Sequence, residues 1–145
     1  MTAPDLPDVN VWIALANIYH PHHPSAKQYW QNPAHNFAFC RVSMMGFLRI
    51  ATQKTIMGEA VHTPLEAWGI YNAHLATGRS VFASEPTGLD DALQRITNAP
   101  SFHPRDWIDA YLASFALQAG CRLVSFDKGF AQYQAPHGLD FLLLS

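Results

Sequence analysis

Short apolar runs alternate with longer stretches of helical periodicity along the whole chain, and no other feature of the sequence constrains the fold as tightly. Leu6-Pro7-Asp8-Val9 leads at once into Asn10-Val11-Trp12-Ile13-Ala14-Leu15-Ala16, a brief strand running into a buried helix, with Asp8 and Asn10 at or near the strand's carboxyl end. His20-Pro21-His22-His23-Pro24 then punctuates the chain, and Ser25 to Trp30 reads as a second short helix. Phe37-Ala38-Phe39-Cys40 suits a buried strand, and Val42 to Ile50 returns to helical spacing. Thr63-Pro64-Leu65-Glu66 has the form of a helix start, with Thr63 as cap, Pro64 at the first position and Glu66 three residues on. That helix is expected to reach about Ala76, with Gly78 stopping it. Val81 to Ser84 makes a third strand, and Leu89 to Ile96 a helix ending before Pro100. Pro104-Arg105-Asp106 opens a long helix through Ala119, closed by Gly120. Arg122 to Phe126 is the clearest strand, and Asp140 to Leu144 a possible last one. No internal repeat or low-complexity segment interrupts the pattern.

Strands that alternate with helices in one domain predict an α/β fold, a mostly parallel sheet covered by helices on both faces. A length of 145 residues and an apolar content of 49% are enough for one sizeable core, so residues 1–145 are expected to form a single domain. Only 14% of residues are charged, which leaves uncharged surface available to a protein partner or a second copy of the chain. The net charge of -2 gives no global basic field, so any nucleic acid must be held by a local patch and a metal. Cys40 and Cys121 lie far apart with no C-x-x-C spacing, which argues against a zinc ribbon or a disulfide-stapled module and fits a reduced cytosol. No apolar run approaches the roughly 20 residues that cross a bilayer. Met1-Thr2-Ala3-Pro4-Asp5 lacks a basic leader, so a soluble, unprocessed, cytoplasmic chain is expected.

In open parallel sheets ligands bind beyond the carboxyl ends of the strands, so the acids at those positions matter most among the eleven present. Asp8 follows the first strand, where capping of the next helix would also account for it. Asp127 ends the run Leu123-Val124-Ser125-Phe126 and precedes Lys128-Gly129, where ordinary turn chemistry is the plainer reading. Asp109 is harder to dismiss. Trp107, Ile108, Ala110, Tyr111, Leu112, Ala113, Phe115 and Ala116 make its helix apolar almost all round, so it is expected to be buried on most sides. A carboxylate there needs a cation or several donors. The alternative role, an acid in the first turn facing the helix dipole, suits Asp106 better than Asp109. Three carboxylates meeting at one sheet edge repel unless a divalent cation joins them, and all-oxygen ligation suits Mg2+ or Mn2+.

Asp8-Val9-Asn10 near the start, Trp107-Ile108-Asp109-Ala110-Tyr111-Leu112-Ala113 late, and Leu123-Val124-Ser125-Phe126-Asp127-Lys128-Gly129-Phe130 after it together resemble a PIN domain, and specifically a VapC-type ribonuclease toxin. Cys40-Arg41-Val42-Ser43 leading into Gly46-Phe47-Leu48-Arg49 extends the resemblance over nearly the whole chain. The resemblance implies a metal at the carboxyl edge of the sheet and hydrolysis of RNA. Carried over by position, Asp8, Asp109 and Asp127 are the acidic site residues, with Asn10 and Ser125 lining the same pocket. Such an ion activates water and stabilises charge in an in-line displacement, leaving 5'-phosphate and 3'-hydroxyl ends. Arg49 is placed to meet the scissile phosphate or to be an ordinary surface arginine. The resemblance further implies an antitoxin that covers the active-site groove, and homodimers are common among relatives. One departure stands out. Many members place a glutamate in the helix after the second strand, three residues before an arginine, and here that residue is Gly46. With one ligand fewer, more waters complete the shell or Asp106, one turn from Asp109, contributes.

Other residues read as structural. His20, His22 and His23 fall in a proline-flanked loop and are expected to be exposed turn material rather than metal ligands. Trp12, Trp30, Trp68 and Trp107 lie in helical patterns, as core or interface rather than a base-stacking platform, and Met44-Met45 reads as packing. A phospho-acceptor receiver domain also combines strand-end acids with a late lysine, but it wants an acid pair after the first strand and an aspartate after the third. The sequence has Asp8 alone and Ser84-Glu85 at those places. A catalytically silent PIN-like module that only binds RNA or protein is the remaining alternative, raised by Gly46.

Overall fold

Strand β1 is only Leu6–Pro7, and proline explains why it is short. In the computed structural model, which describes residues 3–145, the N–H groups of Leu6 and Asp8 bond to Arg122 and Val124 of a neighbouring strand, both at 2.8 Å. The intervening Pro7 has no N–H to offer on the opposite side. Pairing there is confined to Asp5, which forms a single parallel bridge with Phe37. Met1 and Thr2, which begin the stretch expected to lack a leader, lie outside the described residues.

The other strands are β2 (Phe37–Phe39), β3 (Ser80–Phe82), β4 (Leu123–Ser125) and β5 (Phe141–Leu143), and every pairing is parallel. β1, β4 and β5 form one ladder and β2 with β3 another. The Asp5–Phe37 bridge joins them in the spatial order β3-β2-β1-β4-β5. Seven helices connect these strands among the described residues: α1 (Val9–Ala16), α2 (His23–Gln31), α3 (Arg41–Ala51), α4 (Lys54–Met57), α5 (Pro64–Ala76), α6 (Leu89–Thr97) and α7 (Trp107–Ala119).

The period-2 alternation of the strands separates two cores. Leu6, Ala38, Cys40 and Leu123 face one way and pack with Leu89 and Ile96 of α6 and Leu112, Phe115 and Ala116 of α7. Phe37, Phe39 and Val124 face the other way, against Trp12 of α1, Tyr29 of α2, Phe47 of α3 and Tyr71 of α5. Trp12 stacks on Phe39 with ring centroids 4.0 Å apart. Helices therefore cover both faces, as the alternation predicted. Both cysteines are buried and free. No helix among the described residues is long and apolar enough to cross a membrane.

Local chemistry sets most boundaries. Thr63 and Glu66 form the reciprocal capping box that starts α5, and Gly120 ends α7 with a left-handed φ of 69°. Two expectations need correction. Pro104–Asp106 is a separate 3-10 turn, not the first turn of α7, because the backbone of Asp106 leaves helical geometry and the helix restarts at Trp107. α7 is not buried on most sides at its start: Trp107 and Ile108 are 51% and 55% exposed, and burial begins at Ala110. Trp68 is also exposed at 45%, so of the four tryptophans Trp12 alone belongs to the closed core. α4 and a six-residue 3-10 turn, Lys128–Tyr133, were not legible as elements.

Candidate active site

β1 and β4 are adjacent and parallel, so Asp8 and Asp127, which follow them, emerge on the same edge of the sheet. Asp8 caps α1: its Oδ1 accepts the N–H of Val9 at 2.7 Å. The capping role and a site role are not exclusive, because Oδ2 is turned to the hydroxyl of Ser125, which donates to it at 3.0 Å. Ser125 is fully buried and accepts from the Asn10 side-chain amide at 3.0 Å and from the backbone N–H of Asp127 at 2.9 Å. One donor and two acceptors complete its capacity. Asn10 in turn accepts the N–H of Phe126 at 3.3 Å. Asp8, Asn10, Ser125 and Asp127 are thereby locked into one network, and the two polar residues that resemblance placed beside the acids are its centre. Asp127 is exposed, and its Oδ1 accepts the N–H of Gly129 at 2.8 Å as the turn reading expected.

Asp109 comes to the same edge from α7. With the helix starting at Trp107, it occupies the first turn, the position expected for Asp106. Asp106 stands at the N-cap and makes no capping bond. The Asp109 carboxyl is pushed up to about 7, first by burial and then by the charges of Asp8, Asp127 and Asp106. Asp8 is raised as well, mainly by burial, with the Val9 and Ser125 hydrogen bonds opposing and Asp127 adding to the rise. Four carboxyl groups thus share one electrostatic site. Tyr133, brought in by the 3-10 turn after Asp127, is buried with no partner for its hydroxyl among the described residues and is raised to about 12 by burial and by Asp106 and Asp109. No sequence signal pointed to Tyr133.

The opposite end of the sheet shows what a satisfied buried acid looks like. Asp5 is 8% exposed and accepts from Arg122 at 2.9 and 3.1 Å and from the Tyr29 hydroxyl at 2.7 Å. Among the described residues no hydrogen bond or ion pair reaches the Asp109 carboxylate. The fold supplies donors to one acid and leaves the other open to a ligand.

An open groove of about 850 Å3 runs from Asp8 and Val9 along α3 to the start of α5, with Ile108 on its α7 side. Arg41 and Arg49 line it, together with Met45, Gly46 and Trp68. The single ion pair among the described residues is Arg122 with Asp5, so both groove arginines are free of acidic partners. Gly46 lies against α1: a Cβ there would stand 2.6 Å from Cγ2 of Val9, the residue next to Asp8. The groove wall is closed at this point by Val9 and not by a fifth acid.

The donor set suits a hard cation, being carboxylate oxygens with a serine and an asparagine behind them. No three Asp, Glu, His or Cys side chains among the described residues stand close enough together to form a metal cage.

The PIN domain family model matches residues 6–136. Ribonuclease VapC41 of Mycobacterium tuberculosis is 38% identical over 144 residues, covering 95% of this chain and 97% of that protein. Ribonuclease VapC38 of the same species is 31% identical over 124 residues, 84% of each chain. Among solved structures, M. tuberculosis VapC20, a Sarcin-Ricin loop cleaving toxin, matches with a TM-score of 0.65 and 15% identity over 88% of this chain and 92% of that one. VapBC2 from Rickettsia felis, bound to a promoter DNA fragment, also gives a TM-score of 0.65, at 9% identity over 99% and 100% of the two chains. At such identities the structural likeness concerns the fold.

Proposed function

This chain belongs to the PIN-domain family, and from that membership and the acids gathered at the sheet edge we propose that it is the ribonuclease toxin of a VapBC-type toxin-antitoxin pair, hydrolysing RNA with a divalent cation. Asp109 carries the metal reading: a half-buried carboxylate, raised first by burial and then by three neighbouring acids, to which the described residues offer no donor. Asp8, Asp109 and Asp127 would hold the ion, with Asp106, whose charge also acts on Asp109, as a further candidate. When bound, Mg2+ or Mn2+ supplies Lewis-acid activation of water and charge stabilisation at the phosphodiester. Ser125 and Asn10 hold Asp8 and the Asp127 backbone in place while the charge at the edge changes. Arg41 and Arg49, free of acidic partners in the groove that reaches Asp8, are positioned to take phosphate oxygens.

The groove also accounts for an antitoxin partner. Met45, Trp68 and Ile108 line it and are 54%, 45% and 55% exposed, so an apolar segment laid there would bury them and close off Asp8. A second copy of the chain is the other partner proposed.

The test is cleavage of RNA by the purified protein, freed of any partner, with Mg2+ or Mn2+ and with EDTA. Wild type should cut only with the ion, leaving 5'-phosphate and 3'-hydroxyl ends, and Asp8→Asn should not cut. Absence of cleavage by wild type supports a silent binding module instead. Equal cleavage by both proteins removes Asp8 from the site.

A further inference from the structure

The loop between α1 and α2 was expected to be exposed turn material, and His22 is indeed exposed. Its ring, however, lies flat on Phe126, with centroids 4.3 Å apart and planes 13° from parallel. Phe126 stands between Ser125 and Asp127, and Asn10 of the acid network anchors its backbone N–H. The loop therefore ends on an aromatic ring whose backbone is tied into the active-site edge. His22 is the N-cap residue of α2, but among the described residues its imidazole makes no hydrogen bond, capping or otherwise. His20 fixes the loop instead, accepting the N–H of His22 on Nδ1 at 3.0 Å, with its own ring 5.7 Å away. Ile18 and Tyr19, on the same loop, are 69% and 71% exposed, so the segment does not serve to hide apolar surface from water.

We propose that the His22–Phe126 stack is a nucleobase seat, on which a base flanking the scissile phosphate of a single-stranded RNA rests against the outer face of His22. The seat rests on the ribonuclease reading. Stacking accepts any base, because every base has a π-face, and it supplies affinity without the basic field this chain lacks. The placement suits a base more than a protein side chain: Phe126 is the residue before Asp127 and its N–H is held by Asn10 of the acid network, so the stack lies within about one nucleotide of a phosphate bound at Asp127. His22 is thus a binding residue, one step removed from the chemistry.

Fluorescence anisotropy with a labelled single-stranded RNA, Ca2+ being the divalent ion so that the strand is not cut, tests the seat. His22→Ala should raise Kd roughly five- to 150-fold, the range for loss of one stacked base. His22→Phe should recover most of that loss, and an abasic strand of the same length should bind wild type and His22→Ala alike. Unchanged RNA affinity in His22→Ala overturns the seat and leaves the ribonuclease reading standing, as does failure of His22→Phe to recover. Equal weakening on the abasic strand also overturns it, since His22 would then contact phosphate. Wild type that binds no RNA overturns the ribonuclease reading and the seat together.

Discussion

A hydroxyl has one hydrogen to give and room to accept two, and Ser125 uses all three inside the site. Ser125→Ala leaves the Asn10 amide and the Asp127 N–H without an acceptor and Oδ2 of Asp8 without a donor. We expect a loss of about 1–3 kcal/mol in urea denaturation, with cleavage reduced by more than stability explains. A variant as stable and as active as wild type would remove Ser125 from the network. Asp109 gives the opposite expectation. Its folded pKa of about 7 lies above the ordinary value of 3.8. Between those values the folded chain holds a proton that the unfolded chain has released. Stability from this group is therefore present below about pH 4 and lost as pH rises through 7. Asp109→Asn cannot ionise, so in EDTA at pH 8 it should melt a few degrees above wild type, on the order of 1 kcal/mol once screening of a half-buried group is allowed for. The difference should shrink towards pH 4, and Mg2+ should raise wild type alone. A lower melting temperature for Asp109→Asn at pH 8 would show that the acid is stabilising without an ion. Asp109 stood out in the sequence as the acid among apolar residues, although the two before it, Trp107 and Ile108, are exposed in the fold. Tyr133 and His22 did not, because their approach to the acids depends on a 3-10 turn and a loop path that no periodicity encodes.

Helix α3 packs closely on α1 at Gly46, because the glycine leaves the space that the Val9 side chain fills. Glycine inside a helix ordinarily costs roughly 0.5–1 kcal/mol relative to alanine. At position 46 the sign should reverse, since a Cβ would meet Cγ2 of Val9 at 2.6 Å and a β-branched side chain has little rotamer freedom to yield. Gly46→Ala is expected to destabilise by about 1–3 kcal/mol, and Val9→Ala in the same chain to restore most of it. Additive effects in that double-mutant cycle, measured by denaturation, would show that the two residues do not press on each other. Elements with local instructions were readable in advance. The Thr63–Glu66 capping box and Gly120 place the ends of α5 and α7 from a few residues each. α4, four residues long, has no such instruction and is fixed by packing of Met57 in the core. The break at Asp106 had more consequence, because it shifts Asp109 from the helix body into the first turn and leaves Trp107 and Ile108 exposed beside it.

At the scale of the molecule, a chain of net charge -2 that acts on RNA has to hold a polyanion without a general positive field. Composition made that problem legible, whereas the location of the local patch depends on which side chains the fold leaves unpaired. Arg122 neutralises Asp5 at the amino end of the sheet, and Arg79 closes the α2 end by donating to the carbonyls of Trp30, Asn32 and His35. Arg41 and Arg49 line the groove that reaches Asp8. If those two side chains are the phosphate contacts, single-stranded RNA affinity should fall with salt on a log-log slope of about -1.4, since each contact contributes roughly 0.7. Stacking on aromatic side chains would supply the remainder and is insensitive to salt. Replacing both arginines by alanine should flatten the slope to near zero while leaving measurable binding at low salt. Each single replacement should remove about half of it. A slope that stays the same in the double variant would place the phosphate path elsewhere on the edge, beside Lys128 and Arg105, the cations next in sequence to Asp127 and Asp106.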